Sequence, residues 1–170
     1  MKETVSADAL RLQTEIVRKR LVEVVYKAKA GHIGGGLSSL NVLTTLYFRV
    51  MNIDPLNPKM EDRDRFVMSK GHCVEALYSV LEARGFITPE LVNTYGQFGS
   101  VLAGHPTIEV PGIEVNSGAL GHGLPIGVGM AIAAKMDKKD YKTYVLMGDG
   151  EQGEGSIYEA AMAGSQYKLD

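Results

Sequence analysis

The order of apolar segments predicts an α/β domain with a parallel sheet flanked by helices. Two short β-rich runs, Arg65–Met68 and Thr143–Met147, each lead into a glycine-containing loop and then a segment of helical period. Strand, loop and helix in that order are how parallel strands are connected. Glycine, at 20 of 170 residues, is clustered between apolar segments, which brings backbone close to something at those corners. A length of 170 residues suffices for one core and not comfortably for two, so residues 1–170 read as one domain.

The elements follow in order. Ser6 can cap a first helix with Val17, Leu21, Val24, Val25 and Ala28 at helical spacing and Gly31 as its stop. GHIGGG then reads as a loop, and Ser38 or Ser39 as the start of a second helix running to about Met51. That helix is apolar on nearly every side, through Leu40, Val42, Leu43, Leu46, Tyr47, Phe48 and Val50, so it is expected to be buried. DRFVMS is a strand, followed by a loop and a helix closed by Gly85. Thr88-Pro89-Glu90 combines a capping residue with proline at the first helical position. Residues 99–117 have no period and read as a long loop. A helix with Gly123, Gly127 and Gly129 near its start comes next, its small residues suited to close packing on a sheet or a ligand. The strand KTYVLM, the loop GDGEQGEG and the helix SIYEAAMAGSQYKL complete the order. Only two strands are evident, and the last helix ends where a third should begin. The chain is therefore expected to stop, at Asp170, before its sheet is complete.

Composition excludes several classes of function. A net charge of -2 gives no field for nucleic acid or an anionic membrane. The single cysteine, Cys73, excludes an internal disulfide and a cysteine-based zinc site, and it fits a reducing cytoplasm. The opening MKETVSADALRLQ is too charged for a secretory signal, and no apolar run reaches membrane-spanning length.

Gly148-Asp149-Gly150 lies at a strand's carboxyl end, where parallel α/β sheets bind ligands. As a lone feature it is also an ordinary Asp-Gly turn. GDGEQG fits the G-x-G-x-x-G dinucleotide pattern too, yet Asp149, Glu151 and Glu154 would repel a bare pyrophosphate. A Mg²⁺ or Ca²⁺ ion reverses that sign, with Asp149 as its ligand and the glycines admitting a phosphate. The four histidines, His32, His72, His105 and His122, each follow a glycine, which composition alone would produce about twice in ten thousand sequences. Imidazoles at tight corners suit sugar hydroxyls, carbonyl oxygens and phosphates, and their spacing does not fit a helical zinc pair. Lys70 adds a cation at another strand end, or else is a solvated loop lysine.

Together these stretches resemble the transketolase type of thiamine-diphosphate enzyme. GHIGG (31–35), DRFVMSKGH (64–72), GHP (104–106), SGALGHG (117–123), GVGMAIA (127–133) and GDGEQGEG (148–155) occur in that family's order and span essentially the whole chain. GHIGGGLSS is similar to the small subunits of transketolases split into two genes. The resemblance implies the thiamine-diphosphate-binding fold, here its diphosphate-binding domain. It also implies two-carbon ketol transfer from a ketose phosphate to an aldose phosphate in the pentose phosphate pathway. The cofactors would be thiamine diphosphate and Mg²⁺ (or Ca²⁺). The partner would be a C-terminal subunit carrying the pyrimidine-binding domain and its activating glutamate, and self-association would give a heterotetramer. Asp149 matches the metal ligand, and Gly148 and Gly150 lie against the diphosphate. His72 matches the histidine that reaches the diphosphate, and His32 and His105 the pair that bond the donor sugar and assist proton transfer. Gly118, Leu120 and Gly121 match positions against the cofactor, and Glu154 a glutamate linking the two active sites of a dimer. His122 stands where the family has glutamine, and Cys73 where it has glycine or alanine. The family's second metal-binding residue, an asparagine at the end of the next strand, would lie beyond Asp170. A 1-deoxyxylulose-phosphate synthase or another acyloin-forming enzyme is the nearest chemical alternative. A cofactor-domain fragment acting only as an interaction module is the alternative of another class.

Overall fold

A computed structural model describes residues 5–169; the opening MKET and Asp170, where the sequence placed the chain's end, lie outside them. Helix α1 spans Ala7–Ala28 and is capped as expected, the Ser6 hydroxyl accepting from the Ala9 N–H at 3.1 Å. Its stop differs from expectation. Lys29, at φ 54°, turns the chain in the left-handed conformation ahead of Gly31. Gly31 has another task, because a Cβ there would stand 2.5 Å from a carboxylate oxygen of Glu75.

The second helix corrects the sequence reading more strongly. Helix α2 spans Ile33–Thr45, so the glycines expected in a loop form its first turn, and it runs on as a π-helical turn over Leu46–Val50. Glycine's poor helix propensity is overridden by packing. A Cβ on Gly35 would lie 2.4 Å from the Cys73 sulfur, and one on Gly36 3.1 Å from Leu21. Nor is the helix buried all round: Leu40, Leu43 and Tyr47 enter the core while Val42 and Val50 stay exposed.

Strand β1 (Arg65–Met68) pairs in parallel with β2 (Thr143–Leu146), in register from Arg65 opposite Thr143 to Met68 opposite Leu146. These are the two expected strands, and they form the sheet among the described residues. Alternation along the strands gives the sheet two faces. Phe66 and Met68 join the core built by α1, α2 and α3 (Val74–Arg84), with Tyr144 and Leu146 packed against it. On the other face α5 (Gly123–Met136) lies so close to β2 that a Cβ on Gly127 would fall 2.4 Å from Val145. Helix α6 (Gly155–Gln166) packs on α5.

The helix stop at Gly85, the cap at Thr88 and the long loop follow expectation, whereas the last helix ends at Gln166, short of the expected Leu169. Gly85, at φ 84°, closes α3, and Thr88 caps the short helix α4 (Pro89–Val92) by accepting from the Leu91 N–H. Residues 99–117 contain no helix or strand. They are tied down by side chains: the buried Arg63 guanidinium forks onto Glu114, with Nη2 2.8 Å from Oε2, and the Ser117 hydroxyl donates to the Met68 carbonyl at 2.7 Å. A charge pair with two parallel hydrogen bonds fixes orientation as well as position.

Candidate functional site

Parallel strands point their carboxyl ends the same way, and the loops leaving β1 and β2 meet there. After β1 the chain passes through Ser69 and Lys70 into a 3₁₀ turn at Gly71–Cys73 that leads directly into α3. After β2 it passes through Gly148 and Asp149 into a second 3₁₀ turn, Gly150–Gly153. The two loops and the first turn of α2 border a cleft of about 440 Å³. A larger hollow of about 640 Å³ lies at the opposite end of β2, beside Lys135 and Tyr141, and holds none of the histidines. Size therefore does not mark the site; the convergence of polar groups does.

Glu151 organises the strand ends. It is buried, and its carboxylate accepts from the Ser69 hydroxyl, from the Gly121 N–H at 2.8 Å and from the Gly148 N–H at 2.9 Å. The Ser69 oxygen in turn accepts from the Gly123 N–H at 3.0 Å. One carboxylate thus joins both strand ends to the start of α5. On sequence it read as one of three loop carboxylates. Only its inward orientation, which no local pattern reveals, separates it from Asp149 and Glu154.

Lys70 is a site residue of the buried kind, 8% exposed, and not a solvated loop lysine. Its ammonium donates to the Gly35 carbonyl at 3.2 Å and to the Ser38 hydroxyl at 3.3 Å on α2. The first turn of that helix has no acidic side chain, so its free N–H groups and the ammonium give one wall of the cleft a positive character.

Three histidines converge and the fourth stands apart. The rings of His32 and His72 meet edge to face at 5.1 Å. His105 packs on Gly118, where a Cβ would come within 2.9 Å of its ring. Partial burial lowers the pKa of His72, reinforced by His32, Lys70 and His105 and opposed by Glu151, so the ring is neutral at physiological pH. His122 stands at the N-terminal boundary of α5 without a side-chain capping bond, its Nδ1 3.1 Å from the Leu120 carbonyl.

Of the other positions named from the sequence, Leu120, Gly148, Asp149 and Gly150 border the cleft with His72. Gly121 is buried and takes part through its N–H on Glu151. Glu154 is exposed, precedes α6 and packs its side chain on Gly121, outside the cleft lining. Asp149 is exposed, and no group of three or more His, Cys, Asp or Glu side chains is placed to hold a metal ion among the described residues. Cys73 is buried against Gly35, and burial raises its thiol pKa, so it fills space without thiolate character. No helix is long and apolar enough to cross a membrane among the described residues.

Comparison with known proteins agrees with this arrangement. Residues 10–170 match the family described as transketolase, thiamine diphosphate binding domain. The chain is 77% identical over 163 residues to an apulose-4-phosphate transketolase subunit of Phocaeicola vulgatus, covering 96% of this chain and 58% of that protein. It is 43% identical over 162 residues to the 6-deoxy-6-sulfo-D-fructose transketolase subunit SqwG of a Clostridium species, covering 95% and 59% of the two chains. The solved transketolase of Campylobacter jejuni superposes with a TM-score of 0.92 at 35% identity, over 96% of this chain and 27% of that one. The chain thus spans a little under 60% of the length of its subunit-sized relatives.

Proposed function

The chain belongs to the family of transketolase thiamine diphosphate-binding domains, and from that membership we propose that it forms the diphosphate-binding domain of a split, cytoplasmic transketolase. The observation that carries the proposal is the cleft itself, where a buried ammonium, a neutral imidazole and a glycine-built helix start face the exposed carboxylate of Asp149. Those residues fit thiamine diphosphate with a divalent cation. Gly34 and Gly150 leave open space where a side chain would stand, so phosphate oxygens can approach the backbone. Asp149 offers the hard oxygen that Mg²⁺ or Ca²⁺ takes beside a diphosphate. When bound, thiamine diphosphate supplies the electron sink for breaking and remaking a carbon–carbon bond.

The chain's own groups do the rest. Lys70 and the α2 N-terminus balance diphosphate charge, and neutral His72 donates a hydrogen bond to it. His32 and His105 donate to the hydroxyl and carbonyl oxygens of the donor sugar and hold a proton as charge develops there. Gly118, Leu120 and Gly121 pack against the cofactor, while Glu154 faces a second copy across the assembly. A C-terminal subunit carries the pyrimidine-binding domain, and two such pairs make a heterotetramer acting on sugar phosphates in carbohydrate metabolism. The 77% identity makes apulose 4-phosphate the first substrate to try.

The test uses the full natural chain with its partner subunit, a ketose phosphate and an aldose phosphate acceptor. Mg²⁺-dependent ketol transfer is expected, with no pyruvate consumed when glyceraldehyde phosphate is offered. His105→Ala should lower turnover far more than cofactor affinity. Pyruvate consumption, or equal loss of both quantities, would contradict the proposal.

A further inference from the structure

Glu75 is among the buried carboxylates that take no part in the proposed chemistry. It stands in the first turn of α3 and is 1% exposed. Its Oε1 accepts from the backbone N–H of His32 at 3.3 Å and from the Tyr95 hydroxyl at 2.7 Å. Its Oε2 has no hydrogen-bond partner among the described residues. A half-satisfied buried carboxylate is a poor way to stabilise a helix, even with the helix dipole in its favour. What it does accomplish is geometric. Gly31 lets the chain close on the carboxylate, because any Cβ there would collide with Oε1.

The same helix reaches a second histidine loop. The Tyr78 hydroxyl donates to the Ala103 carbonyl at 2.9 Å and lies 3.4 Å from the His105 carbonyl. Its ring meets Tyr95 edge to face at 5.9 Å. His72 sits in the 3₁₀ turn that opens into α3. Residues 71–84 therefore carry His72, grip His32 through Glu75 and grip the His105 loop through Tyr78.

We propose that Glu75 is a positioning residue that sets His32 against His72, with Tyr78 doing the same for His105. This rests on the reading of those three histidines as the working groups of the cleft, and its test has a readout independent of catalysis. Carbethoxylation by diethyl pyrocarbonate, followed residue by residue by mass spectrometry across pH, reports the access and the pKa of each histidine in the full natural chain. In Glu75→Ala, His32 should react several-fold faster and the pKa of His72 should move up toward its ordinary value, while His105 keeps its wild-type profile. Glu75→Gln, which retains an acceptor for His32 and Tyr95, should restore both signals. Tyr78→Phe should alter His105 and spare His32. Tyr95→Phe, which removes one hydroxyl and leaves the core filled, should shift His32 in the same direction as Glu75→Ala, only less.

Wild-type profiles at His32 and His72 in both Glu75→Ala and Tyr95→Phe would overturn the proposal. So would a Gln variant indistinguishable from Ala, or a uniform change at all four histidines in Tyr95→Phe. Ketol transfer in the assembled enzyme should fall roughly tenfold to a hundredfold in Glu75→Ala, at unchanged thiamine-diphosphate affinity. Failure of the wild type to transfer a ketol unit at all would instead contradict the functional reading and leave the histidine geometry to be judged by the modification profiles.

Discussion

His72 is neutral because of where it stands: partly desolvated, with His32, Lys70 and His105 all disfavouring another positive charge. Its pKa in the fold lies below the ordinary 6.5, so the unfolded chain takes up a proton there first. The cost to stability is absent above that pH and grows as pH falls below it. A diphosphate anion beside the ring opposes that bias and pushes the pKa back toward its ordinary value, so cofactor binding on the acid side of that value should take up protons. Calorimetry in buffers of different ionisation enthalpy should register an uptake that His72→Asn lacks; equal uptake in both would place the proton elsewhere. Glu151 makes the second residue-scale prediction. Glu151→Ala strands three donors that now meet one carboxylate. The loss of stability in denaturant titration should be about 3 kcal/mol, as for buried hydrogen bonds to a charged group. Nothing in GDGEQGEG indicated this, because sequence spacing tells which carboxylates share a loop and not which of them turns inward.

At the scale of elements, the contact between α5 and β2 depends on one missing methyl group. Gly127→Ala would force a Cβ to within 2.4 Å of Val145 and should cost about 1–3 kcal/mol, as overpacking does. Gly129→Ala meets nothing within 4 Å and should be neutral or stabilising by about 0.5–1 kcal/mol through helix propensity. Thermal melts of the pair check this, and equal effects would mean that propensity and not packing sets the requirement. The strands, the Ser6 and Thr88 caps and the Gly85 stop were legible because each rests on local chemistry that a short window contains. The start of α2 was not. Its Gly34-Gly35-Gly36 turn is helical because Cys73 and Leu21 press against it, and those partners are distant in sequence. The early stop of α1 has the same character, since Gly31 is committed to Glu75 and Lys29 makes the turn.

Across the whole molecule, the helical layer of α1–α3 holds the apolar core, while α5 and α6 leave Met136, Tyr158 and Met162 exposed. Apolar side chains at that side suit a surface covered in an assembly. Met162→Lys should weaken association with the partner subunit or a second copy, measured by analytical ultracentrifugation, without lowering the melting temperature. Unchanged assembly would move the interface elsewhere. The six motifs made the family legible, yet their spacing could not show that His32, His72 and His105 converge while His122 turns away, because convergence depends on how α3 engages two remote loops. The most direct measurement is a calorimetric titration of thiamine diphosphate into the full natural chain with its partner, in Mg²⁺ and again in excess chelator. Saturable binding in Mg²⁺ that disappears in chelator and in Asp149→Ala, with no heat from NAD, is the result expected. Binding indifferent to the metal, or binding of NAD in its place, would contradict a diphosphate–metal site at the GDG corner.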